Sequence, residues 1–256
     1  MATAQTYPLT RERNLILGVL LVLAAAAWAV LVWQAGVMDE DAMGLTMGMG
    51  APLFIALWAA MMVAIMFPTA APMILTFSKV QASRRQKGQA FVPTWLFVGS
   101  YLVLWSATGV VAYGVAVLGN KLADRSMWLM DNAARIGGVA LVVAGLYQLS
   151  PLKRTCLSKC RTPMSFILGS WRDGHRGAVR MGLEHGFYCL GCCWLLFVIL
   201  FPLGMMNVAA MALITVLIFA EKSLAIGPTV ARVAAAGLVV YGFLVIIAPS
   251  ALPTMM

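Results

Sequence analysis

The sequence predicts an all-α, polytopic helical membrane protein with about seven transmembrane helices and a short interfacial helix in the 150–184 loop. Three observations carry that expectation. Hydrophobic residues make up 62% of the 256 and charged residues 11%, against about 45–50% and about 25% in soluble domains. Apolar runs recur at close to the 20 or so residues needed to cross a hydrocarbon core of about 30 Å. The net charge of +9 is gathered into a few short loops, the pattern by which Lys and Arg set membrane orientation. The basic balance therefore points to a lipid bilayer and not to nucleic acid. Residues 1–256 read as a single transmembrane helical domain.

The first expected span is about Leu15–Trp33, with Arg11 and Arg13 before it and Trp33 suited to the far interface. It lacks a small-residue cleavage site and reads as a retained helix. An acidic, Met- and Gly-rich loop follows, holding Asp39–Asp41, Met43, Met47 and Met49. The second span, about Pro52–Phe77, contains Pro68 and Pro72, which predict a kink or broken turn near its end. Lys79–Lys87 is a basic loop. The third span is about Pro93–Leu118 and the fourth about Ala133–Leu149. Ser150–Glu184 is the longest polar segment and carries seven basic residues; within it, P-M-S-F-I-L-G-S-W-R is apolar but too short to span, so it reads as the interfacial helix. The fifth span is about Gly186–Pro202, the sixth about Val208–Phe219 and the seventh about Val230–Ile247. Gly204–Asn207 forms a tight turn between the fifth and sixth, and Glu221 with Lys222 reads as an interface-anchoring pair. Seven crossings put all three basic loops on one side. The expectation is a bacterial inner (plasma) membrane protein with a cytoplasmic N-terminus and an outside C-terminus.

Chemistry concentrates in E-H-G-F-Y-C-L-G-C-C-W, residues 184–194. His185 and Cys189 are four apart; Cys192 and Cys193 follow Cys189 by three and four, so the four side chains share one helical face. Cys156 and Cys160, also four apart, lie in the preceding basic loop and make a second pair. Five cysteines cannot all pair in intrachain disulfides. Thiolate and imidazole donors suit Cu(I), Zn(II) or Fe–S clusters, and the bland alternative for each thiol is burial as a small apolar group. His175 reads as a loop residue beside Asp173. Met62 and Met66 lie on one face of the second span, with Met73 further along; thioethers select Cu(I), although methionine also fills core gaps. The metal candidates are thus Cys156, Cys160, His185, Cys189, Cys192, Cys193, Met62 and Met66, with copper, Cu(I), as the first cofactor choice and zinc as the second. No phosphate loop, dinucleotide fingerprint or nucleophile–base–acid set is present, which argues against an enzyme.

Y-Q-L-S-P-L-K-R-T-C-L-S-K-C-R-T-P, W-R-D-G-H-R-G-A and H-G-F-Y-C-L-G-C-C-W, with M-M-V-A-I-M-F-P upstream, resemble the bacterial predicted metal-binding integral membrane proteins, a family sometimes described as copper chaperones. The resemblance runs from about the second span to the sixth. It implies that Cys156, Cys160, His185, Cys189, Cys192 and Cys193 are motif positions, and that Met61, Met62 and Met66 match a Met-rich helix. The resulting reading is a soft-metal binding membrane protein that acts as a copper chaperone or transporter, with a membrane enzyme complex or a soluble metallochaperone as partner. The alternative is an accessory or structural subunit of a larger membrane enzyme complex, delivering its metal. A membrane thiol oxidoreductase using Cys189 and Cys192 ranks third.

Overall fold

The computed structural model describes residues 9–37, 44–89 and 91–252. The acidic loop expected at Asp39–Asp41 and Met43 lies outside them. Every regular element among the described residues is helical: α1 (Leu9–Val37), α2 (Ala51–Gln86), α3 (Thr94–Asp124), α4 (Met127–Asp131), α5 (Ala133–Gln148), α6 (Pro151–Arg161), α7 (Pro163–Ser170), α8 (Gly174–Val198), α9 (Leu200–Leu203), α10 (Val208–Ser223) and α11 (Gly227–Ile247), then a 3₁₀ turn at Pro249–Ala251.

Five segments are long and apolar enough to cross a membrane: α1, α2, α3, α8 with α9, and α11. The expected count of seven is not reached on length. α5 and α10 have 16 residues each, below the 20 or so of a full crossing. Punctuation explains both. Ser150 caps a new helix by accepting a hydrogen bond from the Lys153 amide, and Pro151 occupies its first turn. The chain therefore turns by 62° between α5 and α6. α10 ends just ahead of Gly227 and Pro228.

Burial separates central helices from peripheral ones. The most apolar window of α2 is 61% buried and that of α8 50%, whereas those of α1, α3 and α11 are 22% buried. The peripheral helices show Val, Leu and Phe outward, as lipid-facing surfaces do. α2 packs against α1, α3, α7 and α10, and it runs unbroken through Pro68 and Pro72. The broken turn expected there is absent, because neighbouring helices hold a packed helix together across its missing donors. α3 lies along α8, and α5 along α11. The α5–α11 approach needs small residues: a Cβ on Gly138 would stand 2.8 Å from the Gly242 carbonyl, and one on Gly145 2.8 Å from that of Ala235.

The segment read as a loop around Cys156 and Cys160 is helix α6. Lys153, Cys156 and Leu157 are buried and Cys160 half-buried, while Arg154, Ser158 and Lys159 are exposed. That is an amphipathic 3–4 pattern, and its inner face rests on α8. α7 forms where the short interfacial helix was expected, with Phe166 and Ile167 turned inward. Ion pairs draw the basic segments to one end of the bundle: Arg85 with Glu12 at 2.9 Å and Arg84 with Asp173 at 2.8 Å. Arg84 also lies over the Trp171 ring. In the tight turn, Asn207 donates to the Leu203 carbonyl and accepts from the Ala210 amide, capping α10.

Candidate metal centre

α8 starts at Gly174, well before the Gly186 expected. His185 and Cys189 are therefore deep within a continuous helix and not at its mouth. His185, Cys189, Cys192 and Cys193 point into the interior, with exposures of 2% or less. α6 lies across this face and brings Cys160 down onto it. The Sγ atoms of Cys160, Cys189 and Cys192 all lie within 4.8 Å of one another. Two ligands on opposite sides of one ion with bonds of about 2.3 Å would stand about 4.6 Å apart. A single soft ion therefore fits this trio with small side-chain shifts.

Cys189 is the hub. Its Sγ is 3.7 Å from the Met66 Sδ and 3.0 Å from the Tyr101 Oη, and it accepts a 2.9 Å hydrogen bond from the Lys222 Nζ. The Lys222 ammonium is also 3.8 Å from the Met66 Sδ. Cys192 Sγ lies 3.1 Å from Cys193 Sγ and 3.1 Å from the Cys189 carbonyl. All five cysteines are free. Four separate elements, α2, α3, α8 and α10, thus meet at one sulfur, and α6 closes the group.

The remaining predicted candidates take up flanking positions. His185 sits one turn before Cys189, in an aromatic slot formed by Tyr101 (centroids 5.4 Å), Phe97 (5.9 Å) and Phe166 (5.6 Å). Both of its ring nitrogens are buried with no hydrogen-bond partner among the described residues, which suits a donor held for an ion better than a satisfied core histidine. Cys156 Sγ packs over Gly191, where a Cβ would come within 2.7 Å, beside the trio and not within it. Met62 is buried one turn along α2 from Met66, and Met61 is buried next to it. Met49 is buried in the turn before α2. His175 is exposed in the first turn of α8.

Sequence reasoning missed Lys153, Arg161 and Tyr101 and misassigned Glu221 and Lys222. Glu221 and Lys222 do not form an interface pair. Glu221 is 1% exposed and its Oε2 accepts from the Lys153 Nζ at 2.6 Å, a fully buried ion pair between α6 and α10. The Arg161 guanidinium donates to the backbone carbonyls of Glu221 and Leu224. Lys153 and Arg161 together fasten the cysteine-bearing helix to α10. Lys222 faces the opposite way, into the thiols. An ionisable pair in an apolar run is the available signal; which way each side chain turns depends on the seat of α6, which is set by contacts distant in the chain. Tyr101 carried no signal at all within an aromatic-rich helix.

Comparison with known proteins agrees with this chemistry. No curated protein and no solved structure matches the chain. The profile of one family, PpoB2, described as copper chaperone, matches residues 55–245. Those bounds run from Ile55 in α2 through nearly all of α11, and they include Met62, Met66, Cys156, Cys160, His185, Cys189, Cys192 and Cys193. The chain belongs to the copper chaperone family.

Proposed function

We propose that this protein binds Cu(I) as cargo inside the membrane and passes it on. The observation that carries the reading is the convergence of Cys160, Cys189 and Cys192 with the Met66 thioether in a buried pocket assembled from α2, α6 and α8. Thiolate and thioether together form the softest donor set a protein offers, and they favour Cu(I) over hard cations. His185 and Cys193 stand next to the trio as donors through which an ion would enter or leave. Zinc is the weaker choice, because a thioether adds little for a borderline ion. The acceptor would be a soluble metallochaperone or a copper-dependent membrane enzyme.

Orientation follows from the basic end of the bundle. Arg11, Arg13, Arg84, Arg85 and the Lys153–Arg180 segment lie towards one face, which the positive-inside rule assigns to the cytoplasm. A seven-crossing topology, with α5 and α10 as short crossings, then leaves the N-terminus inside and the C-terminus outside. α6 closes the thiol pocket on the cytoplasmic side, where a reducing environment keeps the cysteines free.

The test is the Cu(I) content of detergent-purified protein loaded under reducing, anaerobic conditions, set against a variant with all five cysteines changed to serine. About one Cu(I) per wild-type chain and almost none in the variant is the expected result. Equal, negligible binding in both would remove the proposal.

A further inference from the structure

Lys222 is 8% exposed and ends inside the thiol pocket. A buried ammonium is costly unless it is paired. No carboxylate among the described residues forms an ion pair with it; the adjacent Glu221 is taken by Lys153. Its contacts are two sulfurs, the Cys189 Sγ at 2.9 Å and the Met66 Sδ at 3.8 Å. Tyr101 Oη, 3.0 Å from the Cys189 Sγ, can add a hydrogen bond to the same atom. The available counter-charge for this lysine is therefore the Cys189 thiolate.

The geometry points to Lys222 as the fixed counter-charge of the metal pocket, a residue that balances the thiolates so that a bound monovalent soft cation forms an electrically neutral unit inside the membrane. This rests on the metal-binding reading above and adds a residue to it. With one of the three cysteines kept as a neutral thiol, a monovalent ion held by two thiolates and the neutral Met66 thioether carries one excess negative charge. The ammonium cancels it. Without Lys222 the same complex would be a net anion in surroundings of low dielectric, where an uncompensated charge is most expensive. The ammonium lies against the sulfurs and does not have to ligate the ion; its position next to Cys189 and Met66 lets it stay beside the loaded site.

The experiment titrates Cu(I) into the purified full chain against a chromophoric Cu(I) chelator, for wild type, Lys222→Leu, Lys222→Gln and Lys222→Arg. Leucine removes the charge without adding a soft donor; glutamine keeps a donor for Cys189 and carries the test if the leucine variant does not fold. Loss of roughly a hundredfold in affinity is expected for both neutral variants, with the arginine variant within about tenfold of wild type. X-ray absorption should show the same sulfur shell around the ion in every loaded variant, which separates a charge effect from collapse of the pocket. Neutral variants that bind as tightly as wild type, or more tightly, would overturn the inference. So would a changed sulfur shell, or an arginine variant as weak as the leucine one, since either makes Lys222 a packing residue. A wild type that binds no Cu(I) is a separate result: it would end the metal reading itself.

Discussion

Glu221→Gln is the substitution whose consequence can be worked furthest from the structure. The Glu221 Oε2 and Lys153 Nζ are 2.6 Å apart, with both side chains at most 2% exposed. At an effective dielectric of about 20, two unit charges at that separation attract by about 6 kcal/mol. Desolvation costs several kcal/mol per ion, so the net worth of the intact pair is close to zero. Removing one partner alone is different, because it leaves a buried ammonium uncompensated and costs about 3–5 kcal/mol. For a chain of this size that lowers the melting temperature by about 10 °C. The relief available to Lys153 is to swing outward, and α6 then leaves α10 with Cys160 on it. Thermal unfolding of detergent-solubilised protein should show the loss, and Cys160 should become reactive towards a hydrophilic maleimide. Lys153→Met combined with Glu221→Gln removes both charges and should recover most of the stability. A single variant that melts within about 2 °C of wild type with Cys160 still protected would refute the argument. So would a double variant as unstable as the single one.

Three further outcomes are expected. Cys189→Ser should abolish Cu(I) retention, whereas Cys156→Ser should hold Cu(I) within about threefold of wild type, because the Cys156 sulfur lies outside the mutually close trio; metal content after gel filtration decides this. Met66→Leu should weaken Cu(I) binding about tenfold, roughly the worth of one soft donor, while Met62→Leu should leave it unchanged in the same chelator competition. Gly182→Ala should destabilise the protein by about 1–3 kcal/mol, since its Cβ would stand 2.5 Å from the Phe97 carbonyl and force α3 from α8; Gly99→Ala, which meets nothing within 4 Å, is the matched control and should melt like wild type.

The helical class and the long spans were legible because the bilayer imposes a length and a composition on each crossing. Leu15–Trp33 falls within α1 and Val230–Ile247 within α11. The limits of α8 were not legible. Its first turns carry His175, Arg176 and Arg180, which a hydropathy reading assigns to a loop although they continue the helix beyond the apolar stretch. α6 was missed for the same reason, although S-P at residues 150–151 is a helix-start signal and Lys153, Cys156, Leu157 and Cys160 repeat at three and four. A lysine on the buried face disguised that pattern. Its partner, Glu221, is distant in the chain.

Composition and residue spacing make the chain helical and apolar enough for a membrane, and they set its thiols in two groups at helical spacing. Periodicity is a local property, so the common face of His185, Cys189, Cys192 and Cys193 could be read along α8 alone. Tertiary structure decided which of the other donors joins them. The 62° turn after α5 sets the path of α6, and the Lys153–Glu221 pair with the Arg161 contacts sets its seat. Together they put Cys160 against Cys189 and leave Cys156 over Gly191. Only packing could put Lys222 beside Cys189, because that contact joins α8 to α10 through a buried charge whose partner is a sulfur, a pairing that no local pattern encodes.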